Sequence, residues 1–223
     1  TDQTRELCMN TLADAVTLFT DDSVQMAGTV RPGPTLYEWA LLAAHAVEPD
    51  DRTAAIVAGV PAARRAGFGE APVRKGFVAD YRDELAALRP ESHPSRSLYG
   101  EYIAWALAQV VRVAPEGVRV HLRTGRVTAI VDRGGRQELQ ITDAEGAASL
   151  LIVDAVILAT GWLGNLPTAE ETALAASVSA RPDLVWVKPG NPVDQDLSRV
   201  PAGEDVIIRG LGMGFFDTVT LLT

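Results

Sequence analysis

The chain alternates between two hydrophobic periods, and the switch between them divides it. From Thr35, the run "TLYEWALLAAHAV" is apolar at helical spacing, and Thr35 and Glu38 stand three apart, as in a capping box. In that arrangement the hydroxyl and the carboxylate each accept a hydrogen bond from an amide the first turn leaves unpaired. The pattern predicts a helix over residues 36–47. A short helix is expected near Ala79–Leu88. Another is expected over "HPSRSLYGEYIAWALAQVV", where Leu98, Tyr102, Trp105 and Gln109 share one face and Ile103, Leu107 and Val110 broaden the stripe. Between these, residues 58–77 hold four Gly and two Pro and read as an irregular connection. The first twenty residues show no clean period.

At Val118 the period becomes two. Val118, Val120 and Leu122 alternate with Arg119, His121 and Arg123, and "RVTAIV", "QELQIT" and "SLLIV" continue the pattern. The turn-forming stretches "DRGG" and "DAEG" separate them, so an antiparallel ladder is expected. "DAVILA" (154–159) and "EDVIIRG" (204–210) are different: their central residues, 155–159 and 206–208, are apolar without alternation, and they are expected as strands buried on both faces. A helix from Thr168, with capping-box spacing to Glu171, and a helix over "FFDTVTLLT" complete the reading.

Composition narrows the function. The net charge of −9 argues against nucleic-acid and anionic-membrane partners, which require clustered Lys and Arg. The pairs Arg64-Arg65 and Arg74-Lys75 are short and read as solvated loop charges. Cys8 is the only cysteine, so no internal disulfide can form. His45, His93 and His121 are far apart in sequence and lack the spacing of a zinc site. "LLIVDAVILA", interrupted by Asp154, falls well short of the roughly 20 residues that cross a bilayer, and the polar start shows no secretory signal. The expectation is a cytoplasmic protein that acts on a small molecule and has no membrane partner. Oligomeric state is left open.

Two stretches carry candidate chemistry. In "DVIIR", then Gly210-Leu211-Gly212-Met213-Gly214-Phe215, then a helix, the glycines would let backbone amides approach a pyrophosphate at a helix N-terminus. A Gly-rich structural turn explains the same letters. Phe215 stands where the fingerprint has Gly or Ala. "AVILATG", ending in Ala159, Thr160 and Gly161, has the same two readings. No G-x-S-x-G elbow or Walker-type loop is present, which leaves a hydrolase or transferase little support.

The order of these pieces resembles that of two-dinucleotide-binding flavoproteins: a strand ladder, an Ala-Thr-Gly stretch, then a second Gly-rich turn. "HPSRSLYGEYIAWAL" is similar to the Arg, Tyr, Trp helix of the N-hydroxylating amino-acid monooxygenases, and "MNTLADAVTL" is similar to their flavin- and substrate-side segment. "LCMNTLADAVTLFTDDS", "GPTLYEWA", "SRSLYGEYIAW" and "GLGMGFFD", in order, resemble the FAD/NAD(P)-binding protein family. The resemblance implies an α/β, partial two-dinucleotide-binding (Rossmann-like) fold with an antiparallel β-meander. It implies an FAD-binding domain over 1–167, without its N-terminal phosphate loop, and a linker with the start of an NAD(P)-binding domain over 168–223. Both ends read as interrupted.

The resemblance further implies FAD and NAD(P)H as cofactors. Asn10 and Thr11 would lie near the flavin ring, and the backbone of Val127 beside adenine. Ala159, Thr160 and Gly161 would pack against FAD, and Gly210, Gly212 and Gly214 would face the nicotinamide dinucleotide. Where the N-hydroxylating enzymes place a substrate-binding Lys before Asp, this chain has Ala13 before Asp14, so the amino-acid substrate does not carry over. The implied function is an FAD-dependent, NAD(P)H-linked oxidoreductase, with a monooxygenase as its expected form. The alternative is a non-catalytic nucleotide-binding module. No acid or base is assigned; Asp14, Asp21, Asp22 and Asp217 are carboxylates that a flavin site could use.

Overall fold

The computed structural model describes residues 4–20, 23–69, 71–161 and 163–223. Helices and strands are mixed, and the strands form a single three-stranded antiparallel sheet among the described residues. The chain divides into two compact units: the described residues up to Ala114 together with Ala169–Thr223, and Pro115–Thr168.

The first unit is helical. Its central helix α1 (Leu36–Val47) begins where the capping-box spacing placed it: Thr35 Oγ1 accepts from Glu38 N, and Glu38 returns a carboxylate oxygen to Thr35 N at 2.9 Å. α2 (Asp51–Gly59) and α3 (Ala62–Phe68) follow. Half of the stretch expected as an irregular connection, residues 58–77, is therefore helical: the end of α2, which Asp50 caps through Thr53 N at 2.6 Å, all of α3, and the first residue of the helix at Phe77. The helix expected at 79–88 is two short ones, α4 (Phe77–Asp80) and α5 (Arg82–Ala87), meeting at Tyr81.

α6 (Arg96–Arg112), capped by Ser95, is the long helix foreseen from its pattern. Leu98, Tyr102, Trp105 and Gln109 are buried as expected. Ile103, Leu107 and Val110 are exposed, so the buried stripe is narrower than the apolar one. Aromatic rings join α6 to α1: Trp39 packs against Phe77, Tyr102 and Trp105 with centroids 4.8, 5.5 and 5.9 Å apart. Such tilted pairs add to the area they bury. Tyr102 donates its hydroxyl to Pro34 O at 2.6 Å, and Trp105 Nε1 donates to Ala71 O at 3.1 Å, so the polar tips are satisfied inside the core. The exception is Trp39 Nε1, which is buried without a hydrogen-bond partner among the described residues. A donor left so costs about 1–3 kcal/mol, which the ring's packing has to offset.

The second unit is the meander β1 (Arg126–Asp132), β2 (Gln137–Thr142) and β3 (Ala148–Val153), in that order and antiparallel throughout. The turn at "DRGG" uses Gly134 and Gly135, both at positive φ. A register shift between Val127 and Ala129 makes a bulge at Thr128.

Three expected strands are not formed. Residues 118–123, 154–161 and 204–210 pair with no strand among the described residues. "DAVILA" and "EDVIIRG" are not buried on two faces either: Ile157 is 92% and Ile207 96% exposed. Apolar patterning shows that a segment gains from being covered, but a strand also requires a neighbour to pair its amides and carbonyls. α7 (Ala169–Ser179) and α8 (Met213–Leu222) belong to the first unit and lie where helices were expected. No helix among the described residues is long and apolar enough to cross a membrane.

Candidate functional site

The Gly-rich turn before α8 is the best-defined candidate. Gly210 has φ +119°, a conformation side chains rarely adopt, so its identity follows from the turn itself. Gly212 and Gly214 do not share that reason. Gly212 is the N-cap with φ −79°, Gly214 lies in the first turn of α8, and a Cβ built on either meets no atom within 4 Å. Among the described residues neither backbone strain nor packing calls for glycine there. Gly212 also brings no side chain to cap α8, which leaves amides of its first turn to an outside acceptor. Phe215 is half-buried and meets Phe216 edge-on at 5.3 Å, so its bulk is taken up beside the turn.

In the second unit, Ala159, Thr160 and Gly161 form an exposed segment outside any helix or strand, in which Gly161 turns at φ +66°. Val127 sits on β1, which is an edge strand of the sheet and carries the bulge at the next residue. An edge strand offers one row of unpaired backbone groups, and a bulge frees another residue from the ladder. These are the groups an adenine would need.

Asn10 and Thr11 lie in the first unit, exposed, on a segment that runs beside residues 90–94. Met9 N donates to Pro94 O at 2.7 Å, Ala13 N to Ser92 O at 2.8 Å, and Arg96 N to Leu7 O at 2.8 Å. Asp14, a carboxylate of interest, accepts from Thr35 Oγ1 at 2.9 Å and so supports the cap of α1. Asp21 and Asp22 fall outside the described residues. Asp217 is 4% exposed and bound by Arg96, with Nη2 2.5 Å from Oδ2. Sequence reasoning missed this partner, 121 residues away, and no local pattern marks it.

A cleft of about 420 Å³ opens near the same segment, lined in part by Cys8, Tyr81, Glu84 and His93. Its polar groups are largely committed. Glu84 takes both Ser95 N and Ser95 Oγ, His93 Nδ1 lies 3.1 Å from Met9 O, and the Arg5 guanidinium stacks over Tyr81. Burial, with Glu84 and Asp217 nearby, pushes the Cys8 thiol above its ordinary value, which disfavours the thiolate. Among the described residues no group of His, Cys, Asp and Glu is placed to hold a metal ion.

Comparison with known proteins adds the family. The model of the FAD-NAD(P)-binding family matches residues 1–163. The chain belongs to the FAD-NAD(P)-binding family. Proteins similar to this chain include a nitrosuccinic acid synthase of Aspergillus oryzae, 34% identical over 224 residues. L-aspartate N-monooxygenases (nitrosuccinate-forming) of Streptomyces davaonensis and Streptomyces cremeus are 34% and 36% identical. Each alignment takes in the whole of this chain but only 28%, 31% and 30% of the respective relative. No solved structure matches it.

Proposed function

We propose that this chain is the cofactor-holding part of an FAD-dependent, NAD(P)H-linked monooxygenase that oxygenates the amino nitrogen of a small acidic amino acid. The observation that carries the reading is the pair Gly212 and Gly214, glycines with no reason inside the fold, at the uncapped start of α8. The family and the activity of its relatives supply the chemical class. A Rossmann-like arrangement, with an FAD-binding domain over 1–167 and the start of an NAD(P)-binding domain from 168, belongs to this proposal, as does a cytoplasmic location.

Each set of residues has a distinct task. The amides at Gly212, Met213 and Gly214 would receive the pyrophosphate of the nicotinamide dinucleotide, with the dipole of α8 favouring its charge. Gly161, with Ala159 and Thr160, would let FAD lie against the chain, and the Val127 backbone would pair with adenine. Asn10 and Thr11 would border the flavin ring. When bound, the flavin would carry two electrons from NAD(P)H to dioxygen, so that one oxygen atom enters an N–H bond and the other leaves as water. The protein's own part is to orient the reactants and keep water out.

The test is optical. Full-length protein purified without added cofactor is expected to be yellow, to bleach with NADPH or NADH under argon, and in air to consume the nucleotide faster when L-aspartate is added. Colour without bleaching would favour a non-catalytic nucleotide-binding module. A colourless protein that takes up no FAD would end the proposal.

A further inference from the structure

α8 is held in an unusual way. Its sequence, "MGFFDTVTLL", is apolar but for Thr and one acid, and yet among the described residues Asp217 is the one buried side chain it has. Phe216 and Val219 are exposed. A helix is ordinarily seated by an apolar stripe. This one half-buries Met213, Phe215, Leu221 and Leu222, and its one fully buried side chain among the described residues is a carboxylate in the grip of a guanidinium.

The other end of that grip is a junction. Arg96 is the first residue of α6. Its backbone N donates to Leu7 O at 2.8 Å, its Nε to Cys8 O at 3.2 Å, and its Nη2 to Asp217 Oδ2 at 2.5 Å. One side chain thus ties α8 to the strand-like segment that runs on into Asn10 and Thr11. A shielded ion pair is weak evidence of stability, since desolvating both charges offsets much of their attraction. Its geometry is directional, however, because a guanidinium presents planar, fixed donors.

The site above explains why direction matters here. Asp217 lies four residues beyond Met213, one turn from the amides proposed to take a pyrophosphate. An uncompensated carboxylate so near would oppose a phosphate. Arg96 pairs with it.

We propose that Arg96 and Asp217 are a positioning pair that orients the N-terminus of α8 toward the phosphates of a nicotinamide dinucleotide, in register with the segment carrying Asn10 and Thr11. The pair touches neither cofactor. This inference rests on the nucleotide site of the preceding section.

The experiment uses the full-length, flavin-loaded protein and two readouts. Calorimetry measures the affinity for ADP-ribose, which has the pyrophosphate but no nicotinamide. Anaerobic stopped-flow follows flavin reduction by NAD(P)H. Asp217→Asn is expected to weaken ADP-ribose by about tenfold or more, the equivalent of 1.4 kcal/mol, and to raise the NAD(P)H concentration for half-maximal reduction equally. The limiting rate at saturation and the flavin content should stay close to wild type, while the melting temperature falls because Arg96 is left without its shielded partner. Asp217→Glu should recover most of the affinity. Should Asp217→Asn not fold, Arg96→Lys, which keeps the charge and loses the planar fork, should show the same split in milder form.

Unchanged ADP-ribose affinity in these variants would overturn the proposal. So would an affinity that falls only in step with melting temperature and flavin content, which is the mark of a plain structural staple. A wild-type protein that binds ADP-ribose but is not bleached would remove the oxidoreductase reading and leave this one standing.

Discussion

At the residue scale, the informative positions are those whose identity the fold does not explain. Gly210 and Gly161 are glycines because their φ angles are positive. Gly214 is in a helix, with no steric neighbour to exclude a methyl group. Alanine there should stabilise α8 by up to about 1 kcal/mol on propensity alone. If a dinucleotide rests on that backbone, the same methyl should cost about tenfold or more in nucleotide affinity. Thermal unfolding and an ADP-ribose titration of Gly214→Ala measure the two together; a variant that is more stable and binds equally well would rule the contact out. Asp14 and Asp217 illustrate the converse. Both drew notice as carboxylates, and the structure shows their oxygens in use by Thr35 and Arg96.

At the element scale, capping decides where helices begin. The Thr35–Glu38 box was legible because hydroxyl and carboxylate stand three apart ahead of an apolar run. The box at Asp50 and Thr53 has the same spacing, and the Gly and Pro downstream of it obscured α2. Hydrogen bonds from the Thr53 backbone and side chain hold the Asp50 carboxyl below its ordinary value of 3.8. A carboxyl depressed by folding contributes stability above its unfolded value and loses that contribution as pH falls through the folded one. The cap of α2 should therefore weaken as pH drops below about 4. Asp50→Asn, an equally good cap with no charge, should flatten that part of the acid limb when helix content is followed by circular dichroism. An acid limb identical to wild type would show that the cap does not couple to folding.

For strands, the sequence was right about the three that have neighbours and wrong about those that do not. "RVTAIV", "QELQIT" and "SLLIV" follow one another through short turns, so each finds its partner close by in the chain. "DAVILA" and the "VII" of "EDVIIRG" are apolar too, yet they pair with no strand among the described residues and are largely exposed. Local pattern carries no information on whether a partner strand exists.

At the scale of the whole molecule, the chain is two compact units of different character, one built round an aromatic helical core and one a bare meander. Protection from hydrogen exchange should follow that division. Amides of α1 and α6 are expected to exchange slowest, and those of 155–161 and 205–211 near the rate of an unstructured peptide. Added FAD should slow residues 159–161, and added NAD(P)H residues 212–214, when exchange is read by mass spectrometry. No slowing at either stretch would count against both nucleotide sites.

Periodicity, capping spacing and turn residues, all local properties, were enough to determine α1, α6, the meander and α8, because helices and hairpins satisfy their backbone groups over short distances along the chain. The same local letters marked Gly212 and Gly214 and brought out the family resemblance. Tertiary structure alone decided which apolar segments are covered, which stripe of α6 is buried, and that Arg96 meets Asp217. Each of these depends on what lies across space, and a carboxylate 121 residues from its guanidinium leaves no trace in the spacing of either.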